Sequence, residues 1–296
     1  MESISNTASK ASKAGRPVLL SFDEMPEWFR HESNQWILHG YRPISGSAHA
    51  SFCSWLYIHN ETVNIYSHLI PAIFFLLGEY YMQQYLASRY SGFTGTDFIA
   101  FSIFMLTAVI CLSLSATYHT LMNHSKHMER FCLRLDMLGI VVFILGDLIL
   151  GIYMVFWCEP LPRKIYWSMI GVFGALTIFM TMHSKFQGRK YRLFRALLFV
   201  VTGLSGVAPL IHGLNVFGTS QMMRKSFSLH SGKSRLPAIW DFVLCSQVSR
   251  KSISWQVQPM GLSFHISHPG GMHRIGLDGY LDAFDYAQTN LMCSSI

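Results

Sequence analysis

Three polar side chains set in apolar sequence raise the chemical question. Ser115 and His119 stand four residues apart, so any helix puts them on one face. Asp136 follows at the head of the next apolar run. A neutral imidazole is a good zinc ligand, and a catalytic zinc commonly takes three protein ligands and a water. A nearby carboxylate can hold and deprotonate that water. One His and one Asp do not complete such a site. The same residues also read as an interfacial His and a helix-start Asp favoured by the helix dipole.

Other polar residues need a reason as well. Asp147 lies eleven residues beyond Asp136, on the same helix face and roughly 16 Å further along. It reads either as a functional carboxylate inside the membrane or as a hydrogen-bond partner between helices. Asn60-Glu61-Thr62-Val63-Asn64 opens the first apolar run. Asn60 suits an N-cap there, and Glu61 suits the positive helix end. Ser67 and His68, one turn on, are placed to lend hydrogen bonds to the His119 region. His124, His127 and His183 read as solvated or interfacial.

The elements that must position these groups are apolar helices. Runs near 65–86, 98–120, 133–156, 165–184 and 193–213 are each about 20 residues, enough to cross a ~30 Å hydrocarbon core. Lys126, Arg130 and Arg134 lie between the second and third. Lys185, Arg189, Lys190 and Arg192 lie between the fourth and fifth, and Arg30 and Arg42 lie in the N-terminal arm. The opposite side has only Arg89, Arg163 and Lys164 near the first four runs. Positive charge gathers on the cytosolic side, so the N-terminus is expected in the cytosol. Ser115, His119 and Asp136 then converge at one cytosolic depth. Asn60 and Asn123 stand in glycosylation patterns, and this topology leaves both unmodified.

Composition agrees. Of 296 residues, 51% are hydrophobic and 13% charged, which suits a multi-pass integral membrane protein. The net charge of +7 follows from cytosolic loops. No basic stripe interleaved with aromatics points to nucleic acid. The six Cys are scattered singly and read as buried thiols. The chain divides into an N-terminal arm (1–60), a helical bundle (61–217), an atypical stretch (218–278) and a tail (279–296). Residues 1–20 have the composition of a disordered tail, and the first fifty residues are polar and lack the apolar stretch of a cleavable signal peptide, so none is expected.

Asn60-Glu61-Thr62-Val63-Asn64 with Tyr66-Ser67-His68 resembles the first signature of a known family. Ser113-Leu114-Ser115-Ala116-Thr117-Tyr118-His119 resembles its second, and Arg134-Leu135-Asp136-Met137-Leu138-Gly139-Ile140 its third. Gly279-Tyr280-Leu281-Asp282-Ala283-Phe284-Asp285-Tyr286 is similar to its usual ending. This is the progestin and adipoQ receptor family, which includes the haemolysin-III-related proteins. The resemblance implies an all-α bundle of seven helices with a cytosolic N-terminus. It implies zinc held by His119 and by two His of an H-x-x-x-H motif on the seventh helix. It also implies that Asp136 holds the zinc-bound water, with Ser115 beside it. The chemistry it implies is ceramidase-like lipid-amide hydrolysis; some members are linked to zinc and sterol homeostasis.

The chain departs from that pattern where helices six and seven are due. His265, His268 and His273 do not have the H-x-x-x-H spacing, and Pro269-Gly270-Gly271 argues against a helix there. Back-translated and read one base later, Trp255–Asp278 permits Gly-Lys-Phe-Asn-x-Trp-Gly-Ser-His-Ser-Ile-Phe-His, which restores the motif. A stretch from about 228 to 278 translated out of frame is therefore expected. As written, the chain supplies one of three zinc ligands, His119, so catalytic zinc is not expected to be held. Three functions follow: a zinc-dependent lipid hydrolase, a receptor or regulator of lipid and metal homeostasis with structural zinc, and a transporter or pore using Asp147 and Asp136. Membrane lipids are the expected partners, with a lipid or small protein as ligand, at the plasma membrane or endoplasmic reticulum.

Overall fold

A computed structural model of the chain describes residues 18–30, 36–89, 94–186 and 189–226. Most of this is helix. Among the described residues, sheet is confined to one antiparallel pair, β1 (Leu20–Ser21) and β2 (His39–Tyr41). A short helix, α1 (Ala48–Cys53), follows, with the Ser47 side chain accepting from the Ala50 amide at its N-cap. The long helices are α2 (Thr62–Arg89), α3 (Gly95–Leu121), α4 (Lys126–Val155) and α5 (Pro160–Met182). Two further helices, α6 (Arg192–Leu204) and α7 (Val207–Ser226), meet at Ser205–Gly206.

Four stretches are long and apolar enough to cross a membrane: Gly95–Leu121, Lys126–Val155, Pro160–Met182 and Leu193–Thr219. With α2, five long helical stretches occupy the five expected positions. At 28 residues, α2 spans about 42 Å. It is less apolar because it carries Ser67, His68, Glu79, Gln83 and Gln84. Large apolar side chains point outward along these helices, Phe74, Leu77, Val172 and Phe179 among them. Such a surface suits lipid rather than water.

Three boundaries differ from the sequence reading. The third apolar run does not begin the helix: α4 starts seven residues earlier, at Lys126. The fifth run is two helices rather than one. Helix also continues to Ser226, nine residues past Phe217, across a non-helical Gly218 with φ 72°. Residues 227–296, with the expected out-of-frame stretch, His265, His268, His273 and the family-like ending, lie outside the described residues.

The described chain packs as two compact units, to both of which α2, α3 and α4 contribute. The first takes residues 18–71 and 112–136. Its apolar centre is Met25, Phe29, Tyr41 and Met122, with Phe22, Trp28 and Tyr118 against them. The second takes residues 72–111 and 137–226. Two clusters fill it, one around Leu86, Phe101 and Leu150, the other around Leu148, Phe156 and Ile170. Helices there approach closely at small residues: a Cβ on Gly174 would meet Leu145 Cδ1 at 2.6 Å. Thr177 and Thr202 share a hydroxyl hydrogen bond of 2.8 Å between α5 and α6. Asp97, near the start of α3, accepts from the Thr94 amide and hydroxyl and from the Tyr153 hydroxyl. Cys53 and Cys132 are free thiols, Cys111 and Cys132 are buried, and Cys158 is disulfide-bonded and so departs from the thiol reading.

Candidate functional site

All three residues singled out by type and spacing fall in the first unit. His119 lies in the last turn of α3, Ser115 one turn before it, and Asp136 in α4. Ser115 and Asp136 are buried, and the His119 side chain is 19% exposed. Because α4 begins at Lys126, Asp136 is its eleventh residue, about 15 Å along the axis. Helix-dipole stabilisation fades beyond the first turn, so the reading of Asp136 as a helix-start carboxylate is overturned.

His119 is held by a residue the sequence reading assigned elsewhere. Glu61, at the mouth of α2, is buried, and its Oε2 lies 2.9 Å from His119 Nδ1. Asn60 Nδ2 donates to Glu61 Oε1 at 2.7 Å, and Asn64 Nδ2 donates to Oε2 at 2.8 Å. Burial pushes the Glu61 carboxyl up. The His119 hydrogen bond, the His119 charge, the Asn64 amide and the Arg42 charge together outweigh it and hold the group below the usual carboxylate range. An ionised carboxylate only accepts, so His119 Nδ1 carries the hydrogen of this contact. Carboxylates orient metal-binding and basic histidines in this way.

Arg42 is the second unforeseen member. Counted by sequence among the loop charges, it is in fact buried at 2% exposure. Its Nη2 donates to the His119 carbonyl at 2.6 Å, and its Nη1 to the Thr120 carbonyl at 3.0 Å and to Ser54 Oγ at 2.8 Å. The last carbonyls of a helix have no intrahelical donor, and a cation suits that end of the dipole. Burial lowers the Arg42 pKa, against the opposing charges of Glu61 and Tyr57. His59 completes the frame: its Nδ1 accepts from the Glu61 amide at 3.1 Å.

The arm is stitched to this end of α3 by further bonds. Trp55 Nε1 donates to Thr120 Oγ1 at 3.0 Å, and Tyr66 donates to the Trp55 carbonyl at 2.9 Å. Asn123 is buried, accepts from Ser51 Oγ at 2.9 Å and donates to the Pro43 carbonyl at 3.1 Å. Asn60 spends its amide on Glu61, and α2 begins two residues later, at Thr62. His68 stacks on His119 with ring centroids 5.7 Å apart and planes 4° apart. Ser67, by contrast, is exposed and bonds back to the Asn64 carbonyl. His127 is exposed, and His124 and His183 are half-buried. Asp147 is half-buried and belongs to the second unit.

The zinc centre implied by the resemblance does not fit the described residues. Among them, no three His, Cys, Asp or Glu side chains gather as a metal requires. Nδ1 of His119 is taken by Glu61. The sequence signal for Glu61 was its place between two asparagines. Nothing local marked Arg42.

Comparison with known proteins bears on about two thirds to three quarters of the chain. The family described as Haemolysin-III related matches residues 56–235. Progestin and adipoQ receptor-like protein 1 of Caenorhabditis elegans is 35% identical over 66% of this chain and 44% of its own length. The adiponectin receptor protein of Drosophila melanogaster is 34% identical over 75% of this chain and 50% of its own. The ADIPOR-like receptor IZH2 of Saccharomyces cerevisiae is 35% identical over 72% and 66%. The chain thus spans about half to two thirds of the length of these relatives. An all-α membrane protein with the three ordered signatures, it belongs to the haemolysin-III-related family of progestin and adipoQ receptors.

Proposed function

We propose that this multi-pass membrane protein serves lipid and metal homeostasis through a polar centre built on His119, as a receptor or as a lipid-amide hydrolase. The observation that carries the reading is the Glu61–His119 pair, a buried carboxylate on Nδ1 that leaves Nε2 for work. Ser115 and Asp136, buried in the same unit, are the further working residues of this proposal. Its ligand is a membrane lipid. The names of these relatives, receptors in all three cases, favour the receptor role. The hydrolytic, ceramidase-like role needs zinc and two ligands besides His119, which the described residues do not supply. Loop charge supports a cytosolic N-terminus. Even with Arg42 removed from the count, Lys126, Arg130, Arg134, Lys185, Arg189, Lys190 and Arg192 outnumber Arg89, Arg163 and Lys164.

The test is ceramide turnover by the purified chain in lipid nanodiscs, with total zinc measured on the same sample. Turnover lost on His119→Ala with helicity retained establishes the hydrolase. Lipid binding that depends on His119 without turnover establishes the receptor. Equal lipid binding and turnover in wild type and His119→Ala would remove His119 from the function altogether.

A further inference from the structure

The turn from α5 into α6, in the second unit, gathers positive charge that the His119 centre does not use. Lys185, Arg189, Lys190, Arg192 and Arg195 stand within eleven residues, and the nearest acids along the chain are Glu159 and Asp241. The other basic turn, Lys126 to Arg134, includes Glu129. Positive charge as such is expected of a cytosolic loop, but the packing of this one goes further. Two single turns of 3-10 helix, Ser184–Phe186 and Arg189–Tyr191, belong to it. The His183 ring lies 5.3 Å from that of Phe179 and 5.4 Å from that of Phe186, and Tyr191 closes the row at 5.2 Å from Phe186. Arg195 Nη1 reaches back to donate to the Phe186 carbonyl. Lys190 Nζ stands 5.9 Å from the Tyr191 ring centre. Lys185 and Lys190 are both exposed. Lys190 and Arg195 are thus held on a folded aromatic base, with Lys185 beside Phe186 in the chain.

The surroundings show what this surface faces. Apolar side chains border it on both helices: Phe179 on α5 and Leu193, Phe194 and Leu197 on α6 are exposed. They continue the outward apolar face that Val172 and Leu176 give α5, a face that suits lipid. Cations directly beside a lipid-facing surface lie at headgroup level. The start of α6 points the same way. It has no side-chain cap and no acid in its first turn, and Arg192 and Arg195 stand among its first four residues instead. Acids favour the positive end of a helix and cations oppose it, so an anion against this turn satisfies the cations and the dipole together. A lipid phosphate supplies that anion at that depth. Arginine forks match phosphate oxygens, and each Lys or Arg near an anionic bilayer surface is worth about fivefold in affinity.

We propose that the turn between α5 and α6 is a docking surface for the anionic phospholipid headgroups of the cytosolic leaflet, of the phosphatidylserine class. It makes the seating of α5 and α6 depend on the charge of that leaflet. The side of the membrane rests on the topology proposed above; the preference for anionic lipid does not.

The full chain is reconstituted in phosphatidylcholine liposomes with a trace of photoactivatable phosphatidylserine or photoactivatable phosphatidylcholine, and adducts on residues 183–195 are mapped by mass spectrometry. The serine lipid should label this turn about fivefold more than the choline lipid, or better, and unlabelled phosphatidylserine should compete. Lys185→Gln and Lys190→Gln should each lower that preference about fivefold. Salt at about 1 M, which shortens the screening length to about 3 Å, should remove most of it. Equal labelling of the wild-type turn by the two probes at low salt would overturn the proposal, because the cations would then be met by an acidic stretch of protein or by solvent alone. Labelling that soluble glycerophosphoserine displaces as well as the bilayer lipid does would also overturn it, since a free anion would then suffice. Both liposome leaflets carry the probe, so an inverted topology leaves this result unchanged and shows only in glycosylation mapping. The wild-type comparison decides the matter even if a variant fails to fold.

Discussion

His59 gives the folded protein a pH dependence whose size and direction follow from its surroundings. The ring is 6% exposed. Burial is the largest cause that lowers its pKa, and the Arg42 charge adds to it. The Glu61 charge and a Ser54 backbone hydrogen bond oppose them, leaving the group at about 4 rather than the ordinary 6.5. The geometry agrees with the direction. Nδ1 accepts from the Glu61 amide, and a proton there would set two N–H groups against each other. Between pH 6.5 and about 4 the unfolded chain takes up this proton and the folded chain does not. Stability from His59 is therefore full above pH 6.5, falls as pH drops toward 4 and is level below. At 1.36 kcal/mol per unit, the loss is about 3 kcal/mol. His59→Asn keeps an acceptor near the place of Nδ1 and does not titrate. The assay is unfolding free energy in mixed micelles from pH 8 to 4 for both proteins. Wild type should lose about 3 kcal/mol relative to His59→Asn across that window. Parallel curves would refute the reasoning, since acid loss from Glu61 is common to both.

Two further outcomes are expected. Arg42→Ala should destabilise the chain by about 3–5 kcal/mol, because it strips the buried cation from the C-terminal end of α3 and from the Glu61 field; Arg42→Lys should recover only part, lacking the fork that spans two carbonyls. Denaturant unfolding of the three proteins measures both, and an Ala variant within about 1 kcal/mol of wild type would deny Arg42 its capping role. For the topology, a glycosylation acceptor engineered between Arg89 and Gly95 should be modified in microsomes and one engineered in the first twenty residues should not; the reverse pattern would invert the protein in the membrane.

Ser115 and His119 were legible because helix periodicity is local: four residues apart is one face, whatever the rest of the chain does. The apolar runs were legible for the same reason, since length and hydropathy alone decide whether a helix can cross lipid. Helix ends were less so. The third run hides its first two turns, because Lys126, His127, Glu129 and Arg130 are polar yet helical. That concealment made Asp136 look like a helix-start residue.

What the amino-acid sequence determined by itself is the class of the protein, its spans, its family and the face that carries Ser115 and His119. What only the tertiary structure decided is what those groups meet. Glu61 reaches His119 across 58 residues of chain, and Arg42 reaches the His119 carbonyl across 77. Read locally, each was a sufficient answer to a local question, a helix-end acid and a loop cation. Their partners are acceptors and donors brought close by packing of the arm against the end of α3, and no spacing rule encodes a contact that distant. Glu79 and Ser102 are the same case, 23 residues apart on neighbouring helices. A buried polar side chain must find a partner, but which partner it finds is a property of the fold.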